Sequence, residues 1–423
     1  MSFALVIIAL LALAGLPLFL ALAALALLGY YSSDQTLVLF FGEFIRLAEN
    51  PTLVAIPLFT LAGYILAESR ASQRLVRLAA ALLGWLPGGL AVVVLILMAL
   101  FTAFTGASGV SIVALGGLML PSLLRAGYRE KFALGLITSS GSIGLLFAPS
   151  LPLIIYGVVS ETPINQLFIA GILPGMILMS GMIVYSIVIG IKHKPTIVAE
   201  GSGGAALKDA AWELFLPFLV IGGIYTGFFT VTEAAAVTLT YLFIVEFLIK
   251  RDLSFQRDMF RILRESSILI GGILLILGAA LALTNVLVYL EVPMTILAWI
   301  KSVVGSRIVF LLLLNVFLLM VGCLMDMYSA LLVIVPMILP AALEFGVHPL
   351  HLGIIFLANL EIGYTTPPVG LNLFIAGFRF QKPILKLYRA ALPFLIIQLI
   401  TLLLITYIPW FTLFPVKMWG GGR

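Results

Sequence analysis

The 423-residue chain reads as an all-α polytopic membrane protein built from inverted repeats, with two re-entrant helical hairpins and two broken helices. Three observations predict this fold class. The composition is 63% hydrophobic and 10% charged, more apolar surface than a soluble core of this size can hide, so the solvent is a lipid bilayer. Residues 104–160 and 322–378 follow one pattern, and an offset of 219 pairs Leu120-Pro121 with Leu339-Pro340, Gly127 with Gly346, Ile143-Gly144 with Ile362-Gly363, and Pro149 with Pro368. Each copy is an apolar run interrupted by small polar residues, then a turn, then a second run broken in its middle. Paired interrupted segments in two halves are the best sequence pointer to a transporter's binding site.

Nine spans are expected, at about 3–30, 51–68, 131–159, 164–191, 211–230, 232–250, 265–287, 351–378 and 384–411. The first has no basic stretch ahead of it and is too long for the apolar core of a signal peptide, so it is expected to be retained. The runs 88–106 and 109–124 are joined by a short Gly/Ser turn, and 307–325 and 328–345 by an Asp/Ser turn. Each arm is long enough to enter the bilayer, but no loop follows it, which predicts hairpins that return to the side they entered. Irregular backbone at that depth is tolerated where it is buried in protein or lines a cavity. Stretches 34–49, 72–83, 254–264 and 293–304 read as amphipathic helices lying at the interface, and 192–210 as a polar linker between the halves.

Charge orients the chain. With the N-terminus in the cytoplasm, 18 of the 23 Lys and Arg fall in cytoplasmic segments, leaving Arg46, Lys301, Arg307, Lys417 and Arg423 outside with the C-terminus. Inverting the protein, or letting either hairpin cross fully, spoils this segregation. The same rule accounts for the net charge of +5 without a nucleic-acid partner. Span 3–30 pairs with 232–250, 51–68 with 265–287, and 164–191 with 384–411. The unmatched span 211–230 flips the second unit, so the first hairpin opens from the cytoplasm and the second from outside.

The residues that carry chemistry sit at the interruptions. Thr105, Gly106, Ser108 and Ser111 lie at the first hairpin tip, and Ser139, Ser140 and Ser142 lie in the following helix before Pro149. Unwound backbone frees carbonyl oxygens and hydroxyls add more; together they suit a hard cation such as Na⁺. Half-helix N-termini nearby can hold a carboxylate or sulfonate. Close helix packing by small residues is the competing explanation. In the second copy Asp326 and Ser329 occupy the hairpin tip, and Asn359, Glu361, Thr365, Thr366, Pro367, Pro368 and Asn372 the broken helix. Asp326 and Glu361 are the two acids expected well inside the membrane, at a cost of roughly 2.5–3.5 kcal/mol each. Asp326 reads as a cation ligand or as a cap on the second arm. Glu361 reads as a substrate ligand or as the acceptor of a bond from broken backbone. Thr105, Gly106, Ser108, Ser139, Ser140, Ser142, Asp326, Ser329, Thr365 and Thr366 are assigned to Na⁺, and Ser111, Asn359, Glu361, Pro367 and Asn372 to substrate.

Other chemistry is excluded. The single Cys323 rules out an internal disulfide and a cysteine metal cluster. Gly106-Ala107-Ser108-Gly109 matches the G-x-S-G of intramembrane serine hydrolases, but such an enzyme needs a histidine beside the serine. His193 falls in the linker, and His348 and His351 are expected in a polar loop outside.

At these residues the chain resembles the large membrane subunit of tripartite ATP-independent periplasmic (TRAP) transporters, in the C4-dicarboxylate-type permease group. The resemblance runs over essentially the whole chain. It is carried by IPLFTLAGYIL at 56–66, FTGASGVSIVALGGLMLP at 104–121, GLITSSGSIGLLFAPSLPLIIYGV at 135–158 and NLEIGYTTPPVGLNLFIAG at 359–377. Ala148 departs from it, since a second proline before Pro149 is common in that family. The resemblance implies an elevator-type sodium symporter of the bacterial inner membrane, not an enzyme, with Na⁺ as coupling ion and no other cofactor. It implies a small organic anion delivered by a periplasmic substrate-binding protein, and a small four-span membrane subunit on a separate chain. It also implies scaffold segments at 1–87 and 211–306, moving segments at 88–191 and 307–411, the linker 192–210 and a C-terminal tail at 412–423. A self-sufficient sodium/dicarboxylate or citrate symporter of the same superfamily is the alternative.

Overall fold

The computed structural model describes residues 2–13, 16–49, 51–83, 86, 88–193 and 203–419, and every regular element among them is helical. Seven of these helices are long and apolar enough to cross a membrane, and the pair Glu130–Leu146 and Leu151–Val159, bent by 45°, adds an eighth.

Both hairpins form. The first has arms Gly89–Thr105 and Ser108–Arg125, the second Arg307–Leu324 and Met327–Glu344. Each turn is two residues long. Gly106 makes the first turn at φ +65°, and a Cβ there would fall 2.8 Å from Leu151 Cβ, so both backbone and space require glycine. Asp326 makes the second turn, its Oδ1 accepting the Ser329 amide at 3.0 Å as an N-cap.

Both broken helices form as well. The first runs Glu130–Ser140, a 3₁₀ turn Ile143–Leu146, extended backbone, then Leu151–Val159. The second runs Pro349–Gly363, an irregular stretch, then Leu371–Phe380. Pro149 and Pro368 sit in these gaps, and the bonds Ala148–Pro149 and Pro367–Pro368 are both cis.

The packing follows the repeat. The second arm of each hairpin packs on the distal half of the other repeat's broken helix: Ser108–Arg125 on Leu371–Phe380, and Met327–Glu344 on Leu151–Val159. Ile384–Tyr407 packs on Glu130–Ser140, and its counterpart Ile164–His193 on Pro349–Gly363. A flanking group pairs Leu18–Ser32 with Met259–Tyr289 and Val231–Phe243 with Ala55–Glu68. The groups touch where Gly63 meets the first hairpin tip; a Cβ there would lie 2.7 Å from the Phe104 carbonyl oxygen.

One buried ionic cluster anchors the amphipathic helix Ala71–Leu83. Arg74 is buried; its Nε donates to Glu213 at 2.6 Å and its NH2 to both Glu246 oxygens at 3.1 Å, and NH1 pairs with Asp252. A π turn over Ile244–Ile249 carries Glu246 at the end of its span.

Several expected boundaries move. The expected span 3–30 is two helices, Ser2–Leu13 and Leu18–Ser32, because Pro17 has no amide for the ladder and the second helix starts after it. The expected interfacial stretch 254–264 continues from Met259 into the long helix Met259–Tyr289, which contains no proline. Tail residues Trp410–Trp419 form a helix against Ile164–His193. His351 is not a loop residue. It is fully buried in Pro349–Gly363, with Nδ1 2.9 Å from Thr412 Oγ1 and Nε2 3.1 Å from the Thr406 carbonyl oxygen. Residues 194–202 of the linker lie outside the described residues, while Gly203–Asp209 is a short helix against Ala71–Leu83.

Gly363 tests this packing. A Cβ there would lie 2.6 Å from the Gly322 backbone, whereas one at Gly272 meets nothing within 4 Å. Gly363→Val should therefore cost about 3 kcal/mol or more by forcing backbone apart. Gly272→Ala should be neutral or stabilise by up to about 1 kcal/mol. Unfolding midpoints in detergent measure both.

Candidate functional site

The two breaks meet at matched positions of the repeat. Ser142 Oγ donates to the Glu361 carbonyl at 3.3 Å, and these residues are each other's counterparts at the offset of 219. Each break reaches this position by lying on the first arm of its own hairpin with no side chain between. A Cβ on Gly144 would fall 2.2 Å from the Ala99 carbonyl oxygen, and one on Gly322 would fall 2.8 Å from Leu360 Cα.

Around the first tip, hydroxyls and carbonyls converge. Thr102 Oγ1 donates to the Gly141 carbonyl at 2.8 Å and pairs with Ser111 Oγ at 2.7 Å. Ser108 Oγ donates to Asn372 Oδ1 at 2.7 Å, and Asn372 Nδ2 reaches Ser142 Oγ at 3.4 Å and the Thr138 carbonyl at 3.5 Å. A residue of the second half therefore completes the junction of the first. Thr105 Oγ1 stays local, 3.5 Å from the backbone of Ala107.

The second tip is more open. Asp326, Pro367, Pro368 and Val369 are exposed, while Thr365 and Ser329 are buried. Asp326, expected well inside the membrane, is exposed on the chain's own surface at the turn, where its carboxylate caps the second arm. Thr365 and Thr366 donate to the Ile362 carbonyl at 2.9 and 2.8 Å, capping the helix before its break while keeping their lone pairs free. The tips are linked directly: Tyr328 OH donates to the Gly106 carbonyl at 2.6 Å, and the Tyr364 hydroxyl accepts the Met327 amide. Gln398 bridges the breaks, donating to the Ser139 carbonyl at 3.2 Å and standing 3.5 Å from Thr365 Oγ1.

Buried oxygens at the breaks that have no hydrogen-bond partner among the described residues include Ser139 Oγ, Ser150 Oγ and both carboxylate oxygens of Glu361. Glu361 thus accepts no side-chain bond from broken backbone. An unpaired buried carboxylate is costly unless neutralised or joined by a cation. Oxygen ligands without donors of their own fit an alkali cation in type.

Not every sequence candidate gathers here. Asn359 faces away, its Nδ2 donating to Asn315 Oδ1 at 2.7 Å and the Ile355 carbonyl at 2.8 Å, in a chain that continues through Thr406 to His351. Ser140 Oγ turns back to the Ile137 carbonyl at 3.4 Å. Thr102, Tyr328, Tyr364 and Gln398 are polar residues of this junction that sequence reasoning missed. Gln398 did carry a signal, as a lone polar residue in an apolar run. Ser108 has Asn372 as its partner, and His351 is engaged by Thr406 and Thr412, so no Ser–His pair forms among the described residues.

This arrangement defines a multi-pass membrane transporter, with two hairpin tips and two helix breaks enclosing one polar junction. Residues 5–411 match the family described as tripartite ATP-independent periplasmic transporter, DctM component, and the chain belongs to that family. The C4-dicarboxylate TRAP transporter large permease DctM of Pseudomonas aeruginosa is 37% identical over 365 residues, 86% of this chain and 85% of that one. The ectoine TRAP transporter large permease TeaC of Halomonas elongata is 31% identical over 412 residues, 95% of each chain. The solved YdaH transporter of Alcanivorax borkumensis matches with a TM-score of 0.61 over 88% of this chain and 86% of that one. At 14% identity that likeness is one of fold alone. The chain is a transport protein and not an enzyme.

Two substitutions separate the roles at the junction. Asn372→Ala strands Ser108 and should cost about 1–3 kcal/mol of stability. Glu361→Gln removes an unpaired buried charge and should leave the unfolding midpoint in Na⁺-free buffer unchanged or higher. A marked fall for Glu361→Gln would mean that the carboxylate has a partner.

Proposed function

We propose that this chain is the permease of a sodium-coupled uptake system for a small organic anion, a carboxylate or sulfonate, in the bacterial inner membrane. A periplasmic substrate-binding protein delivers the substrate, and a separate small four-span subunit completes the membrane part. The N-terminus lies in the cytoplasm and the C-terminus in the periplasm, as the charge distribution favours. The observation that carries the reading is the meeting of two oxygen-rich helix breaks at one polar junction. Hydroxyl, carbonyl and carboxylate oxygens converge there, and Na⁺ supplies the positive charge that a bound anion needs.

One Na⁺ would draw on the tip and break of the first half, from Thr105, Gly106, Ser108, Ser139 and Ser142. The other would draw on Asp326, Ser329, Thr365 and Thr366. The substrate would lie between them near Ser111, Pro367 and Asn372, against the half-helix N-terminus at Leu371. Residues 88–191 and 307–411 would move as one body against 1–87 and 211–306. The contact of Gly63 with the first hairpin tip lies on that seam, where a missing side chain lets backbone pass close to backbone.

In proteoliposomes holding the permease, the small subunit and the binding protein, uptake should collapse when Na⁺ is replaced by K⁺. Undiminished uptake driven by a proton gradient alone would refute sodium coupling. Full uptake without the binding protein would favour a self-sufficient symporter.

Asp326→Asn isolates the charge, because Asn caps a helix as well as Asp does. Folding should be kept, while the Na⁺ concentration for half-maximal uptake should rise about tenfold or more. An unchanged Na⁺ dependence would leave Asp326 as a cap.

A further inference from the structure

A cavity of about 630 Å³ lies between the amphipathic helix Ala71–Leu83 and the second arm of the first hairpin, Ser108–Arg125. Its lining includes Arg70, Arg77, Arg125 and Lys250, with Val76 and Leu118 as apolar wall. The acids that border it are engaged: Asp252 pairs with Arg74, and Asp209 with Arg77 at 2.7 Å and Lys250 at 3.2 Å. Glu213 and Glu246 are buried behind Arg74. Arg70 and Arg125 remain. Both are exposed, and among the described residues neither makes an ion pair; Arg125 Nε reaches only the Pro121 carbonyl, at 3.4 Å.

These cations share a level in the fold. Arg70 precedes its helix, Arg125 ends the hairpin arm, and Lys250 follows the span that closes in the π turn. They therefore stand where helices leave the apolar layer, on the side where the chain's basic residues gather. Two unpaired guanidiniums at a membrane boundary, above an apolar wall, match an anion that carries its own apolar body. Guanidinium forks bind phosphate oxygens in bidentate fashion. A dissolved carboxylate would gain nothing from Val76 and Leu118.

We infer that this cavity holds the headgroup phosphate of an anionic phospholipid of the cytoplasmic leaflet, with its acyl chains along Val76 and Leu118. Basic pockets between helices on the cytoplasmic side attract such headgroups. The two walls belong to segments that the proposed function sets in relative motion, so a bound lipid would bridge the seam. The inference rests on that orientation, but its test uses neither Na⁺ nor substrate, and its failure leaves the transport reading untouched.

The full chain, purified in neutral detergent, is titrated with short-chain phosphatidylglycerol while its unfolding midpoint is followed. Short-chain phosphatidylcholine, inorganic phosphate and succinate serve as comparison ligands. Phosphatidylglycerol should raise the midpoint saturably, and the comparison ligands at equal concentration should not. In the double variant Arg70→Gln/Arg125→Gln half-saturation should move up roughly thirtyfold. It should stay near the wild-type value in Arg129→Gln, whose side chain lies outside the cavity. The charge-retaining variant Arg70→Lys/Arg125→Lys should keep most of the response, which separates lost binding from lost folding. The assignment is overturned if phosphatidylglycerol has no effect or if the double Gln variant responds like wild type. It is also overturned if phosphate or succinate matches the lipid, since the cavity would then be a site for free anions.

Discussion

The structure depends on backbone meeting backbone where glycine removes the side chain. Gly144 lies on Ala99 and Ala103 of the first hairpin, and Gly363 on Gly322 and Cys323 of the second. These approaches bring each unwound segment onto its hairpin, so that carbonyls freed by the break are neighbours of the tip. Lipid offers no hydrogen bonds to such carbonyls, and irregular backbone survives at that depth only when protein surrounds it. The glycines are thus the condition for having breaks at all, and the polar junction follows from the breaks.

Within that frame the two halves have diverged. Ser142 keeps an acidic counterpart in Glu361, but other hydroxyls at the first junction have apolar counterparts in the second: Ser108 corresponds to Met327, Ser111 to Ala330, and Ser139 to Ala358. Asn372, which closes the first junction, corresponds to the buried Leu153. The duplication is preserved in backbone and in glycine and proline positions, whereas side-chain chemistry is concentrated around the first tip and the second relies on Asp326 and two threonines. One half alone could not assemble the junction, because Asn372 bonds across a sequence separation of 264 to Ser108.

The hairpins and breaks were legible because their signals are local: Gly106 at a turn, Asp326 as a cap, Pro149 and Pro368 in apolar runs. Pro17 carried the same kind of signal, and its division of the first expected span shows that one proline outweighs a long apolar composition. Side-chain facing was not legible. Of the two acids at the interruptions, Asp326 is exposed on the chain's surface and Glu361 is fully buried, because distance from a break along the chain does not fix direction around a helix. His351 looked like a loop residue because its partners, Thr406 and Thr412, arrive from more than 50 residues away. Asn359 looked like a ligand by its nearness to Glu361, yet it points to Asn315 on a different helix. Long-range partners decide such cases, and local spacing contains no trace of them.

The Tyr328 bond to Gly106 has a consequence for how energies at the junction can be read. Tyr328 and Met327 are neighbours at the second tip, one donating its hydroxyl to the Gly106 carbonyl and the other its amide to the Tyr364 hydroxyl. Bonds made by adjoining residues of one turn are not independent, and removing one changes what the other is worth. Free energies measured singly at these positions will not sum to that of the pair, so no share of the work can be credited to one residue. The unit that has a well-defined energy is the pair of tips together.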